Sequence, residues 1–159
     1  MGRAAAEVTA RRTVPVHLHG SSLLLVFVGG ALGTTVRYLI SAAAPPVLGL
    51  PLATLGINVV GAFVLGWLLE ALALRGPDEG RRRAVRLFVG TGILGGFTTY
   101  SAFAVDTDGL IVAQNVGGSI VYAVATVAVG ALASVAGIAV GAAIGRRRAK
   151  REQQEGEGS

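Results

Sequence analysis

Cysteine is absent from the 159 residues, so neither a disulfide framework nor thiolate chemistry is open to this chain, although its absence names no compartment. Histidine occurs twice, at His17 and His19, in a polar N-terminal arm without a carboxylate or cysteine partner, so no metal centre is expected there. The apolar stretches contain no nucleophile–base pair and no zinc spacing, which argues against a membrane enzyme. Charge is also scarce. Asp, Glu, Lys and Arg supply 14% of the chain, against about 25% in ordinary soluble domains, while 52% is apolar. The excess of basic residues gives a net charge of +5. Nucleic acid is not implied, because the arginines sit in short clusters beside apolar runs, as at membrane flanks. What is abundant is glycine: 24 residues, mostly inside those apolar runs, fit close helix packing in lipid.

Four spans follow from the runs and their punctuation, giving an all-α membrane protein. A polar, basic arm covers 1–21, a four-helix transmembrane domain covers 22–145, and a basic then disordered tail covers 146–159. Helix one runs from Ser22 to Ser41. Arg11-Arg12, the apolar run after Leu23 and Ser41-Ala42-Ala43-Ala44 resemble a secretory signal, but Arg37 intervenes and further spans follow, so the helix reads as retained. Pro45, Pro46, Gly49 and Pro51 make a turn into helix two, Leu52 to Leu74. Helix three starts near Leu87, and helix four occupies Ser119 to Gly145.

The run from Leu87 to Val105 carries no charge and is long enough to span a bilayer. Yet Gly90-Thr91-Gly92-Ile93-Leu94-Gly95-Gly96-Phe97-Thr98-Thr99-Tyr100-Ser101-Ala102-Phe103 is far too rich in glycine and hydroxyls for a lipid-facing helix. A backbone loosened at Gly95-Gly96 needs protein or water around its freed carbonyls, so a break in the third helix is expected there.

Several polar and aromatic residues have two readings each. Thr54 and Asn58 share a helix face; the Asn58 amide either bonds a neighbouring helix or offers donors to an anion. Tyr100 and Phe103 also face one way, either as packed core or as ring edges turned to an anion. The Thr98, Thr99 and Ser101 hydroxyls either donate to that anion or satisfy freed carbonyls. Arg37 either snorkels to the headgroups or gathers anions at a pore mouth. Glycines four apart, Gly29/Gly33, Gly92/Gly96 and Gly137/Gly141/Gly145, signal tight helix seams.

Gly95-Gly96-Phe97-Thr98-Thr99-Tyr100-Ser101-Ala102-Phe103 resembles the third-helix signature of the Fluc/CrcB fluoride channels. Gly29-Gly30-Ala31-Leu32-Gly33 with Arg37-Tyr38, Thr54…Asn58…Gly61, Thr91-Gly92 and Asp106 extend the resemblance from about Gly29 to Gly145. It implies a fluoride-exporting channel in the plasma membrane, built as an antiparallel dimer of four-helix subunits with two pathways at the interface. It also implies a structural sodium ion held by backbone carbonyls, which the motif assigns to Gly95 and Thr98. The fluoride pathway carries over to Asn58, Tyr100, Phe103, Thr54 and Ser101, and more loosely to Tyr122, with Arg37 at its mouth. Tyr100 stands where the family usually has Phe, and Ala102 where Thr is usual, which leaves one pathway open to impairment.

The rival of another class is a small proton-coupled multidrug antiporter, which needs a titratable group in mid-membrane; Glu70 and Asp106 both lie toward span ends. A non-conducting partner subunit of a heterodimeric channel is a third reading. Of the 14 Lys and Arg residues, Arg37 alone lies by the first or third connection. The other 13 fall on the side shared by both termini and the second connection, which the positive-inside rule assigns to the cytoplasm. Such a bias disfavours insertion in both orientations. The expected partner is therefore a paralogue of opposite bias, or failing that a second copy of this chain.

Overall fold

The computed structural model describes residues 20–44 and 49–157. The arm with His17 and His19, and the Pro45-Pro46 turn, lie outside the described residues. Four helical stretches among the described residues are long and apolar enough to cross a membrane: Gly20–Ala43, Leu52–Ala73, Gly80–Val112 and Val116–Glu155. The first two are single helices, α1 (Gly20–Ala43) and α2 (Leu52–Ala73). The third is composite. It begins as α3 (Gly80–Val85), widens into π-helical turns over Arg86–Leu94, tightens into one α-turn, α4 (Gly95–Phe97), and resumes as α5 (Tyr100–Val112). The last, α6 (Val116–Glu157), is one helix of 42 residues.

Turn chemistry sets the connections. Gly76, at φ +107, takes a backbone that a side chain would resist and so ends the run from α2. The second connection is then pinned by arginines: Arg82 donates to the Arg75 and Pro77 carbonyls (2.7 and 2.9 Å), and Arg86 to the Asp78 carboxylate (2.7 Å). That bond holds the Asp78 carboxyl below its ordinary pKa. At the far end the Asn115 side chain accepts from the Gly118 N–H (2.9 Å), capping the start of α6.

The helices pack as two pairs through the glycine seams. A Cβ on Gly29 would overlap the Phe88 carbonyl, and one on Gly33 the Ile93 carbonyl. A Cβ on Gly92 would stand 2.9 Å from the Gly29 Cα. Backbone therefore lies on backbone between α1 and the third span. The second seam joins α2 to α6. Gly137 meets the Phe63 carbonyl, Gly66 the Ser134 carbonyl and Gly145 the Leu74 side chain. Residue numbers rise together along both seams, so each pair is parallel. Lipid offers no hydrophobic drive between helices, and dispersion at such close approach replaces it.

Two expectations need correction. The segment from Arg146, expected to be basic and then disordered, continues α6 as far as Glu157, and 158–159 lie outside the described residues. Its Arg, Lys, Glu, Gln and Ala residues are good helix formers, and an existing helix needs no new nucleus. The backbone does not open at Gly95-Gly96 either. Those residues are helical, and the extended conformation falls at Thr98 (ψ 151) and Thr99 (φ −149, ψ 125). Gly96 stays helical while packed on the Gly30 carbonyl. Nothing in the apolar pattern signals the π-helical turns.

Gly33→Val should separate α1 from the third span, lowering stability by about 1–3 kcal/mol as overpacked cores do. Gly30→Ala enters open space and should be neutral. Thermal unfolding of the detergent-solubilised protein checks both; equal melting of Gly33→Val and wild type would refute the seam.

Candidate functional site

Thr98 and Thr99 interrupt the third span within its length, and in hydrocarbon each unpartnered N–H or C=O costs several kcal/mol. The sequence supplies local partners. Thr99 is the N-cap of α5: its hydroxyl oxygen accepts from the Ala102 N–H (3.1 Å) and lies 3.1 Å from the Ser101 hydroxyl. Thr98 folds its hydroxyl back to donate to the Leu94 carbonyl (2.9 Å), which also accepts from the Thr98 N–H (2.9 Å).

The remaining partner comes from α2. Half-buried Asn58 donates through Nδ2 to the Thr99 carbonyl (3.0 Å), while the Thr99 N–H donates to Asn58 Oδ1 (2.8 Å). One carboxamide thus serves both polar groups of one residue, as a neighbouring strand would. Of its two readings, the interhelical bond is the one made, and it leaves one of the two Nδ2 hydrogens unspent.

These bonds have a consequence for two carbonyls. In an unbroken helix the Gly95 carbonyl would accept from the Thr99 N–H, and the Thr98 carbonyl from the Ala102 N–H. Both donors are diverted, the first to Asn58 and the second to the Thr99 hydroxyl. The same two carbonyls were singled out for sodium. Gly96 differs, since its carbonyl accepts from Thr34 Oγ1 and from Arg37 Nε, each at 3.3 Å. Arg37 therefore reaches in from α1 to the turn before the break.

A groove of ≈ 540 Å³ opens beside the break, walled by α2 and α6. Asn58, Gly95, Thr98, Thr99, Tyr100, Phe103 and Thr126 line it; Arg37, Thr54, Ser101 and Tyr122 do not. Phe103 links the two groups. Its ring centroid lies 5.9 Å from that of Tyr100 at 46°, and 5.9 Å from that of Tyr122 at 28°. The three rings form a ladder from the surface inward, Tyr100 being 80% exposed and Tyr122 only 3%. The Tyr122 hydroxyl is set among buried Thr54 and Thr126 and half-buried Asp106, with Asp106 Oδ2 at 3.5 Å. Ser119, one helix turn before Tyr122, donates its hydroxyl to the Thr107 carbonyl (2.9 Å), tying α6 to α5.

Thr126 was missed by the sequence reading. It is buried, lines the groove, and its hydroxyl has no hydrogen-bond partner among the described residues. The signal was present: Ser119, Tyr122 and Thr126 are spaced by three and four, one polar stripe on an otherwise apolar helix.

The comparisons agree with one another. A family model described as CrcB-like protein, Camphor Resistance (CrcB), matches residues 24–138. A protein of Leifsonia xyli subsp. xyli named Fluoride-specific ion channel FluC 2 is 74% identical over 141 residues, spanning 89% of this chain and 97% of its own. Fluoride-specific ion channel FluC 1 of Cutibacterium acnes is 53% identical over 109 residues, 68% of this chain and 76% of that protein. Fluoride-specific ion channel FluC 2 of Nitrobacter hamburgensis is 41% identical over 119 residues, 74% of this chain and 94% of that protein.

Asn58→Leu removes both clamp bonds and leaves the Thr99 N–H and C=O unpartnered, at about 1–3 kcal/mol for each buried group. Hydrogen exchange in detergent should show the Thr99 amide losing its protection, with little change along α1. Protection kept in the variant would refute the clamp.

Proposed function

The chain belongs to the CrcB-like family, and from that premise we propose that it is a fluoride-selective channel, not an enzyme, lowering cytoplasmic fluoride by passive export. The observation that carries the reading is the groove at the break, where unspent hydrogen-bond donors stand beside the tilted ring pair of Tyr100 and Phe103. Fluoride is small and strongly hydrated, so a narrow path has to replace its water with several donors at once. The second Nδ2 hydrogen of Asn58, the hydroxyls of Ser101 and Thr126, and the positive ring edges of Tyr100 and Phe103 can act in series. Thr54 and Tyr122 extend the polar track inward. Arg37 adds a positive charge close to the break, which favours an anion over a cation. The antiporter alternative needs a carboxylate in mid-span. Glu70 instead packs against Gly141 near the end of α2, and Asp106 stands beside Tyr122.

A structural sodium ion belongs to the same proposal. The Gly95 and Thr98 carbonyls have lost their helical donors, and such oxygens suit a hard cation. Bound there, the ion would neutralise the two carbonyl dipoles and brace the break.

The working unit is a dimer. A single subunit leaves Tyr100 80% exposed beside an open groove, a poor surface to present to hydrocarbon. A second four-helix subunit in antiparallel orientation would cover it, the rest of the surface facing the lipid bilayer. The charge bias supports one orientation for this chain, both termini cytoplasmic, with a paralogue of opposite bias as partner. A heterodimer also tolerates one altered pathway, in keeping with Tyr100 and Ala102.

One experiment covers function and partner together. A fluoride-sensitive host lacking its own exporter should regain growth when it expresses this chain with an oppositely biased paralogue, and a reporter fused at Ser159 should read as cytoplasmic only. Rescue by this chain alone, with the reporter on both sides, would replace the paralogue by a second copy. No rescue with either partner would refute the channel.

A further inference from the structure

A second pocket lies away from the break, at the opposite end of the α2–α6 seam. Its volume is ≈ 620 Å³, and it is formed where α2 ends, the second connection turns, and α6 leaves its apolar run at Gly145. Arg75, Arg82 and Arg146 line it together with Arg148, and no carboxylate does among the described residues. Asp78 on the connection is committed elsewhere, accepting from Arg86 with Arg83 alongside.

The pocket is divided in character. Arg82 is held by the Pro77 and Arg75 carbonyls, so its guanidinium is positioned in advance. On the other side Leu74 and Ile144 line the pocket while each stays 54% exposed. Positive charge thus borders open apolar surface at the level where the spans end. A free phosphate would use the guanidinium groups and leave the leucine and isoleucine bare; a phospholipid uses both. Guanidinium forks match phosphate oxygens in geometry, and basic pockets between helices at the cytoplasmic boundary bind lipid headgroups.

We propose that this pocket binds the phosphate headgroup of an anionic phospholipid, with the start of its acyl chains against Leu74 and Ile144. The bound lipid would bridge α2, the second connection and α6 on the arginine-rich side. The assignment concerns a lipid and is independent of what the groove conducts.

Trp67, the only tryptophan, lies on the same helix two turns before Leu74 and reports on it. The full chain is placed in phosphatidylcholine nanodiscs, and Trp67 quenching by brominated phosphatidylglycerol is compared with that by brominated phosphatidylcholine at equal mole fraction. Wild type should enrich phosphatidylglycerol. Arg75→Gln with Arg146→Gln should reduce that enrichment about tenfold, about 1.4 kcal/mol. Arg81→Gln with Arg147→Gln, an equal loss of charge outside the pocket, should change it less than about twofold, a fraction of 1 kcal/mol. Unchanged quenching by brominated phosphatidylcholine verifies insertion. If the double variant fails to insert, the two single variants are read instead, each with an expected loss of about threefold, about 0.7 kcal/mol. Equal losses in pocket and control pairs, or none in either, would overturn the site. Displacement of brominated phosphatidylglycerol by millimolar inorganic phosphate would overturn the lipid assignment in favour of free phosphate.

Discussion

Two hydrogen bonds between the Asn58 carboxamide and the backbone of Thr99 make the rest of this molecule possible. A transmembrane helix can open in mid-span only if something replaces its missing bonds, because lipid cannot. Asn58 replaces two with one side chain and, in doing so, ties α2 to the third span. The Thr99 hydroxyl completes the break by capping α5. From those few bonds follow the orientation of Tyr100 and Phe103, the freeing of the Gly95 and Thr98 carbonyls, and the groove between α2 and α6. Asn58, which the sequence left as either an interhelical bond or an anion donor, makes the interhelical bond as a structural clamp, with one hydrogen left over.

The clamp needs neighbours that do not slide, and glycine provides them. Along α1 and the third span, and again along α2 and α6, glycines let backbone meet backbone. Within each pair that fixes register far more sharply than mobile leucine side chains would. Between the pairs contact is lighter, carried by the clamp, by the Phe103–Tyr122 stack and by the Ser119–Thr107 bond. Rigid pairs joined by a few polar and aromatic contacts leave the groove open, on the face that the proposed second subunit would cover. The arginines complete the arrangement at one end of the molecule, where the inferred lipid pocket would hold α2 to α6 on the side from which neither pair can translocate cheaply.

Much of this could be read in the chain. Four spans followed from charge-free runs, and both glycine seams from spacing by four. Asn58, Tyr100 and Phe103 do come together at one groove. The errors have physical reasons. Gly95-Gly96 marks weak helix propensity, but packing on the Gly30 carbonyl keeps Gly96 helical, and the break moved to the threonines that have a cap and a clamp. The Glu/Gln/Gly end of the tail looked disordered by composition, yet through Glu157 the chain stays helical once a helix arrives from the apolar run. Thr126 was passed over because a threonine in an apolar helix is common; its place on one stripe with Ser119 and Tyr122 was the available signal, and its burial without a partner among the described residues is what singles it out. The π-helical turns over Arg86–Leu94 left no trace in the pattern.

The central claim is that the break held by Asn58 makes a path for fluoride and for no larger halide. Liposomes carrying the purified channel, loaded with potassium fluoride and potassium chloride and opened to efflux by a potassium ionophore, test it most directly with ion-selective electrodes. The account predicts rapid loss of fluoride while chloride stays inside. Equal loss of the two anions, or retention of both when the partner subunit is present, would contradict it.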